Sequence, residues 1–442
     1  MEKVVDNIKL IKYSSYKDSG VEWLGEIPSN WDLTRLGTRF EERKTKVSDK
    51  DFPPLSVTKN GTIPQLDSAA KSNDGDNRKL VKTGDFVINS RSDRKGSSGI
   101  AYQDGSVSLI YIVMEPKGIH PIYCNYLLKS YNFIEEFYRM GHGIVADLWT
   151  TRYEEMKAIM VGIPSIEEQT AIAAFLDRKT ALIDQAIDIK QKQIELLKER
   201  RQILIHKAVT RGLNPNVKMK DSGVVWIGEI PEGWHLKTLK FLKANIKNAF
   251  VDGPFGSNLK SEHFIEDGNV YVVESGFITT GVFINKVFKT ISEKHYQTIK
   301  RSTCSEGDVI IAKIGANYGM AAELPLLDKK AVVSGNSLKI TLDNSKILNI
   351  LFVKLLGLSK TLGGFEEIVN ASAQPALSLG GLNNLKLPIA PIDEQPLIAK
   401  QIDNIESKTA TTISLKEQEI EKLKEYKASL INSAVTGKIK VY

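Results

Sequence analysis

Residues 17–36 read KDSGVEWLGEIPSNWDLTRL, and residues 220–239 read KDSGVVWIGEIPEGWHLKTL. The two align without a gap and share Lys, Asp, Ser, Gly, Val, Trp, Gly, Glu, Ile, Pro, Trp, Leu and Leu. A second duplicated block, 163–213, aligns gap-free with 389–439, pairing Glu168-Gln169 with Glu394-Gln395 and Ala208-Val209-Thr210 with Ala434-Val435-Thr436. The stretches between these blocks diverge. Like ends around unlike middles imply one scaffold carrying two interchangeable modules, and a period of about two hundred residues is far too long for a solenoid.

The repeat sets the expected boundaries: an N-terminal extension 1–16, a divergent domain 17–162, a conserved long helix 163–213, a second divergent domain 214–388 and a conserved C-terminal helix 389–442. Both divergent domains alternate β-rich runs with Gly, Asp, Asn and Ser clusters. In the first, 52–58, 85–89 and 107–114 read as strands and 121–140 as one helix, with Ile122, Tyr126, Leu127, Ile134 and Phe137 near one face. In the second, 269–274, 308–313 and 331–341 read as strands and 345–362 as the matching helix. Gly84-Asp85 and Gly307-Asp308 each open a hydrophobic strand, glycine suiting the turn before it. The fold class is therefore α+β, with two mixed α/β domains.

The conserved blocks are different in kind. Each follows a proline-bearing turn with an acidic pair, Glu167-Glu168 or Asp393-Glu394, at the positive end of a helix dipole. Leu176, Ile183, Ile187, Ile194, Leu197, Leu204 and Ala208 then form a heptad seam, interrupted at Thr180, Lys190 and Arg201. Ile402, Ile413, Ile420, Leu423, Leu430 and Ala434 keep that frame in the other copy, with Glu406, Thr409, Lys416 and Lys427 filling its remaining positions. Helices of about 40 residues would extend about 60 Å, more than packing on one small domain needs, so the two are expected to pair, antiparallel and pseudo-twofold.

Composition narrows the function classes. Sixty Lys and Arg against 53 Asp and Glu give +7, compatible with a polyanion without requiring one. Cys124 and Cys304 lie in different halves with no CxxC spacing, which fits a reducing, cytoplasmic setting and no thiolate metal site. The six histidines show no HxxxH or HExxH spacing, and no GxxxxGK[ST] phosphate loop occurs. No secretory leader or membrane span is legible, so no membrane partner is expected. Asp252-Gly-Pro-Phe255 is close to the Asp-Pro-Pro-Tyr or Phe motif of amino-methyltransferases, but Gly253 replaces the first proline. It reads better as a loop, DGPFGSNLK, whose Lys260 and backbone amides would meet a phosphate.

Nucleic-acid chemistry has the better positive signal. Residues 71–82 and 89–98 (NSRSDRKGSS) mix Arg, Lys, Asn and Ser with glycine, the residue types that contact phosphates and base edges. From these loops Arg78, Lys79, Arg91, Arg94, Lys95 and Ser97 are candidate DNA contacts, with Lys59 and Asn60. In the second half Lys260, Lys313, Asn317 and Tyr318 are the candidates, the last three in AKIGANYGM after the Gly-Asp strand. The lysines and arginines of the helices are balanced by acids and read as a solvated face.

Taken in order, the paired WLGEIPxxW-like openings, the GDxxI strands, DGPFGS, the AxxQPALS segment at 371–378 and the EQ-started coiled-coil repeats resemble a type I restriction-modification specificity subunit over essentially the whole chain. The first half departs from the pattern. It lacks DGPFGS, and GHGIVADLWT (141–150) stands where 371–378 stands in the second. The resemblance implies two target recognition domains, each reading half of a split, asymmetric double-stranded DNA sequence, and no cofactor or catalysis in this chain. It also implies partners: modification subunits that methylate adenine with S-adenosylmethionine, and a restriction subunit that translocates with ATP and Mg. On the residues alone a fused nuclease or methyltransferase, or a coiled-coil scaffold that never touches bases, stays open.

Overall fold

The computed structural model describes residues 11–67, 75–143, 149–254, 256–278, 281–284, 286–366, 368–369 and 375–441. The chain divides into two compact units, one formed by 1–193 with 415–442 and the other by 194–414. Each long helix is thus shared, 166–193 and 415–435 going to the first unit and 194–211 and 395–414 to the second.

Both units hold a four-stranded antiparallel sheet with the same strand order. In the first it runs Phe40–Glu42, Tyr111–Pro116, Phe86–Asn89, Ser98–Ile100; in the second, Phe250–Asp252, Ser337–Ile340, Val309–Ala312, Ala321–Glu323. The third strand of each is the one opened by Gly-Asp. Gly84 and Gly307 adopt φ of 91° and 79°, which a side chain resists. The aspartate after each closes the turn by accepting from the amide three residues back, Lys82 N at 2.8 Å for Asp85 and Ser305 N at 2.9 Å for Asp308. Each buried carboxylate is then neutralised: Arg43 meets Asp85 with two hydrogen bonds of 2.7 and 3.1 Å, and Lys339 lies 3.2 Å from Asp308. Around this shared sheet the units differ. The first adds a three-stranded sheet and the hairpin Leu55–Thr58/Gly61–Pro64, and the second adds a five-stranded sheet in which Val270–Val273 and Lys330–Val333 run parallel.

Several expected elements are divided. The run 107–114 is two strands, Gly105–Val107 and Tyr111–Pro116, and 331–341 is Lys330–Val333 and Ser337–Ile340. The helix expected over 121–140 is broken into Pro121–Leu128 and Tyr131–Arg139, because Ser130 accepts from Phe133 N and starts a new helix there. Ile122 is consequently exposed while Leu127 and Phe137 are fully buried.

The first long helix, Ile166–Arg211, starts where Ser165 Oγ accepts from Glu168 N at 3.3 Å, and its backbone and Ser165 hold the Glu167 carboxyl below the usual range. The second, Gln395–Val435, carries Pro396 in its first turn, where no amide partner is lost. Left-handed glycines, Gly212 (φ 71°) and Gly437 (φ 74°), follow them. In the first unit Lys190 pairs with Glu419 and Lys427 with Asp184 at 2.7 Å, numbers rising along one helix as they fall along the other, so the helices are antiparallel. Both lysines stand at polar positions of the heptad frame, and in the fold they bridge the pair.

Leu176, Ile183, Ile194, Ile402, Ile420, Leu423 and Leu430 are buried, and Ile187, Leu197 and Ile413 are half-buried. Leu204 is a correction, being 37% exposed, while Ile205 packs on the second unit's core. A straight helix repeats every 3.6 residues and drifts about 20° per heptad from a 3.5 frame. Three heptads after Ile183 the inward position has therefore moved on toward residue 205.

The duplicated blocks form one joint, built twice. Trp31 and Trp234 are buried, and each indole N–H donates to the glutamate of the EQ pair, Glu168 at 3.0 Å and Glu394 at 3.1 Å. The glutamines bind backbone only. Gln169 takes His120 N (2.7 Å) and donates to Pro164 O (2.9 Å), and Gln395 takes Leu348 N (2.8 Å) and donates to Lys346 O and Ala390 O.

Cys124 and Cys304 are both buried, and burial raises both thiol pKa values. The folded chain is expected to leave an aromatic disulfide reagent unreacted at neutral pH and to titrate both thiols once denatured. Rapid reaction of either thiol in the folded chain would contradict this packing.

Candidate nucleic-acid interface

In the first unit the turn after Phe86–Asn89 forms a short 3-10 helix, Ser92–Arg94. Asn89 Oδ1 accepts from Arg91 N at 2.9 Å, and Ser92 N donates to Trp149 O at 3.0 Å, so the turn is held from both sides. Arg91 and Arg94 are exposed, while Lys95 pairs with Glu135 at 2.6 Å and lies over the Tyr138 ring. Lys59 and Asn60 form the exposed tip of the hairpin at 55–64. That hairpin is drawn against the strand Ser98–Ile100 by two glycines: a Cβ on Gly99 would lie 2.7 Å from Gly61 Cα.

Three candidates of the first half are structural. Arg78 is 5% exposed and donates to Ser106 Oγ (2.8 Å) and Ser106 O (3.1 Å), because it opens a strand with its side chain turned inward. Lys79 is tied to Glu42 at 3.1 Å and to Tyr111 O at 2.8 Å. Ser97 is buried where its amide closes the turn on Arg94 O. In their place the structure supplies Lys44 and Arg152, both exposed, which line a cleft of about 370 Å³ with Arg91, Thr150 and Tyr153. Their separation in sequence hid them. The fold brings 44, 91 and 152 together from three segments.

In the second unit the AKIGANYGM turn is clamped from two directions. Lys313 N donates to Asn336 O (2.9 Å), Leu377 N donates to Lys313 O (2.9 Å), and Gly315 N to Pro375 O (3.3 Å), so DGPFGS, this turn and the end of AxxQPALS converge. Asp252 is the electrostatic centre of that convergence, 3.1 Å from Arg301 and 3.5 Å from Lys313. Gly253 cannot be the proline of an amino-methyltransferase motif, since a Cβ there would lie 1.9 Å from Ser334 O. Asn317 is exposed, and Tyr318 presents its ring to Lys360 Nζ at 4.8 Å. Lys360, whose pKa burial lowers, and Arg301 are the residues that the sequence pattern missed here. Lys260 is exposed on a separate turn, beside His263 and its stacked neighbour His295. Phe255 and residues 371–374, like Lys71 and residues 144–148 of the first half, lie outside the described residues.

Among the described residues no cluster of three or more His, Cys, Asp or Glu side chains could hold a metal, and no helix is long and apolar enough to cross a membrane. A further feature lies on the first long helix, where Leu182, Ile189, Leu196 and Ile203 are exposed at heptad spacing.

The exposed cations of both units suit a polyanionic partner, and the comparisons with known proteins point the same way. Over nearly its whole length the chain is similar to specificity subunits of type I restriction-modification systems. The family described as "Type I restriction modification DNA specificity domain" matches residues 255–425. Two relatives come from Methanocaldococcus jannaschii. The putative type I restriction enzyme MjaX specificity subunit is 22% identical over 95% of this chain and 96% of its own, and the type I restriction enzyme MjaVIII specificity subunit is 24% identical over 94% of each. Among solved structures, a chain from a study of complex assembly and conformational transition of the type I R-M system superposes with a TM-score of 0.65 at 14% identity, over 92% of this chain and 98% of that one. The HsdS subunit from Thermoanaerobacter tengcongensis gives 0.54 at 15% identity, over 93% and 98%.

Proposed function

We propose that segments 17–162 and 214–388 are two target recognition domains, each reading one half of a split, asymmetric double-stranded DNA sequence, with 163–213 and 389–442 as the conserved helices that join them and 1–16 as an extension. The observation that carries this is the pairing of one four-stranded sheet order with two unlike loops at the same place, after the Gly-Asp strand. The chemistry of those loops, with Arg152 and Lys360 brought beside them from other segments, suits the role. Arg91, Arg94 and Arg152 in the first and Lys313, Asn317 and Lys360 in the second supply charge for phosphates and amide or guanidinium groups for base edges, the latter giving ~1–3 kcal/mol of discrimination per good bidentate pair.

The chain works in the cytoplasm with modification subunits that use S-adenosylmethionine and a restriction subunit that uses ATP and Mg. The exposed heptad stripe of Leu182, Ile189, Leu196 and Ile203 offers an apolar face to a partner helix of the modification subunits.

The test is DNA binding by the chain with its modification subunits. Arg91→Ala and Arg94→Ala are expected to weaken binding. Removing a cation that neutralises a phosphate lowers the salt slope by about one with little change of sequence preference, whereas removing a group that reads a base edge relaxes one position of the target. Arg78→Ala serves as the structural counterpart, lowering stability. If alanine at Arg91, Arg94, Arg152, Lys313, Asn317 and Lys360 together leaves binding unchanged, the reading surface lies elsewhere.

A further inference from the structure

The two copies of the tryptophan-glutamate joint are not equally filled. In the first unit Glu168 accepts three donors: Trp31 Nε1 at 3.0 Å, Tyr13 O–H at 2.5 Å and Asn30 Nδ2 at 3.4 Å. The Tyr13 ring stands edge-on to Trp31 with centroids 6.0 Å apart. The gap-free alignment of 17–36 with 220–239, extended back, puts Asn216 where Tyr13 stands and Gly233 where Asn30 stands. Both donors besides the indole are missing from the second copy, and Asn216 is exposed. Among the described residues Glu394 accepts a side-chain hydrogen bond from Trp234 Nε1 alone, at 3.1 Å, and Asn214 lines the same cavity without bonding to it.

A cavity of about 260 Å³ lies there, lined by Trp234, Glu394, Arg211, Gly233, Leu213 and Leu397 among others. Its apolar rim is unfinished. Leu213 is 44% exposed, whereas Ile439, its equivalent in the first unit, is 6% exposed. Leu397 is 61% exposed, at the position that Ala171 holds in the first unit. Sites for drug-sized ligands run to ~300–1,000 Å³, so this one suits a single ring.

We propose that this cavity is a subsite for one hydroxyaryl ring, which packs on Trp234 between Leu213 and Leu397 and donates its O–H to Glu394. The ligand chemistry is that of Tyr13 in the first unit, supplied from outside the chain, either by a free small phenol or by a tyrosine side chain of a partner protein. It is independent of which DNA sequence the chain reads.

The probe is p-cresol, titrated into the full chain while the five tryptophan indole N–H resonances are followed by NMR. A saturable shift confined to Trp234 is expected. 4-Methylanisole, the same ring without the donor, is expected to bind at least about tenfold more weakly, as a hydrogen bond to a charged group is lost. Gly233→Leu fills the cavity without strain, since a Cβ at Gly233 meets nothing within 4 Å, and should weaken p-cresol at least tenfold. N-acetyl-tyrosinamide separates the sources: binding at the same resonance admits a tyrosine side chain, and exclusion while p-cresol binds leaves a free small phenol. The proposal fails if Trp234 shows no saturable shift, if 4-methylanisole binds as well as p-cresol, or if Gly233→Leu leaves p-cresol binding unchanged.

Discussion

Trp31→Ala is expected to lower the stability of the first unit by about 3–5 kcal/mol, the range for removing a large aromatic side chain from a packed core. Trp31 is fully buried, and it ties the opening block to the long helix through Glu168. Gly437, at the end of the second long helix, approaches so closely that a Cβ there would lie 2.3 Å from Pro28 and 3.3 Å from the Trp31 ring. The substitution therefore empties the point at which the opening block and both helices meet. It also withdraws a donor from a buried carboxylate, which keeps Tyr13 O–H as its remaining strong donor. Trp31→Phe isolates that part: most of the volume stays, and the loss is about 1.5–3 kcal/mol, the scale of a hydrogen bond to a charged group. Urea denaturation of the two variants measures both figures. A loss under about 1 kcal/mol for Trp31→Ala would mean that the joint does not hold the unit together.

Exchanging residues 38–162 for the corresponding segment of a specificity subunit with a different target is expected to replace one half of the methylated sequence completely and leave the other half unchanged. The reason lies in what the joint touches. Gln169 holds His120 N and Pro164 O, and Gln395 holds Leu348 N, Lys346 O and Ala390 O, all of them backbone atoms. A socket that grips backbone accepts any side-chain sequence that folds to the same strand order. The exchange keeps Asp32–Arg35 and renews residues 160–162 of its partner strand Met160–Ile163, a pairing made through backbone that an incoming strand of the same order restores. Mapping methylated adenines in DNA modified by the chimera with its modification subunits reads the result. Change in both halves at once would sink the assignment of separate readers.

The scaffold was legible in the sequence because it is written twice. Burying the same tryptophan and proline in two places, each tryptophan with a glutamate to receive its indole N–H, requires the same residues at the same spacing, so the joint and the helices stand out against the divergent middles. The seam was legible for the same reason, up to Leu204, where the 3.6-residue period of a straight helix overtook the 3.5-residue frame. The split of 121–140 at Ser130 and of 107–114 at the 108–110 turn was not, because the apolar pattern resumes after each break, and a local cap at Ser130 and a turn closed by Tyr111 N on Ser108 O decided them.

The candidate interface divides differently. Loop composition pointed to Arg91, Arg94, Lys313 and Asn317, but it could not separate an arginine that faces solvent from Arg78, whose guanidinium is spent on Ser106. Side chains on adjacent strand positions point to opposite faces, and which face is the interior depends on what packs there. Lys44 with Arg91 and Arg152, or Lys360 over Tyr318, are neighbours only because separate segments meet. The sequence by itself determined that one joint and one helix frame occur twice around two unlike modules, since repetition and periodicity are properties of order along the chain. Only the tertiary structure decided which cations face outward and that the second joint holds a cavity where the first holds Tyr13, since burial and vacancy depend on neighbours remote in sequence.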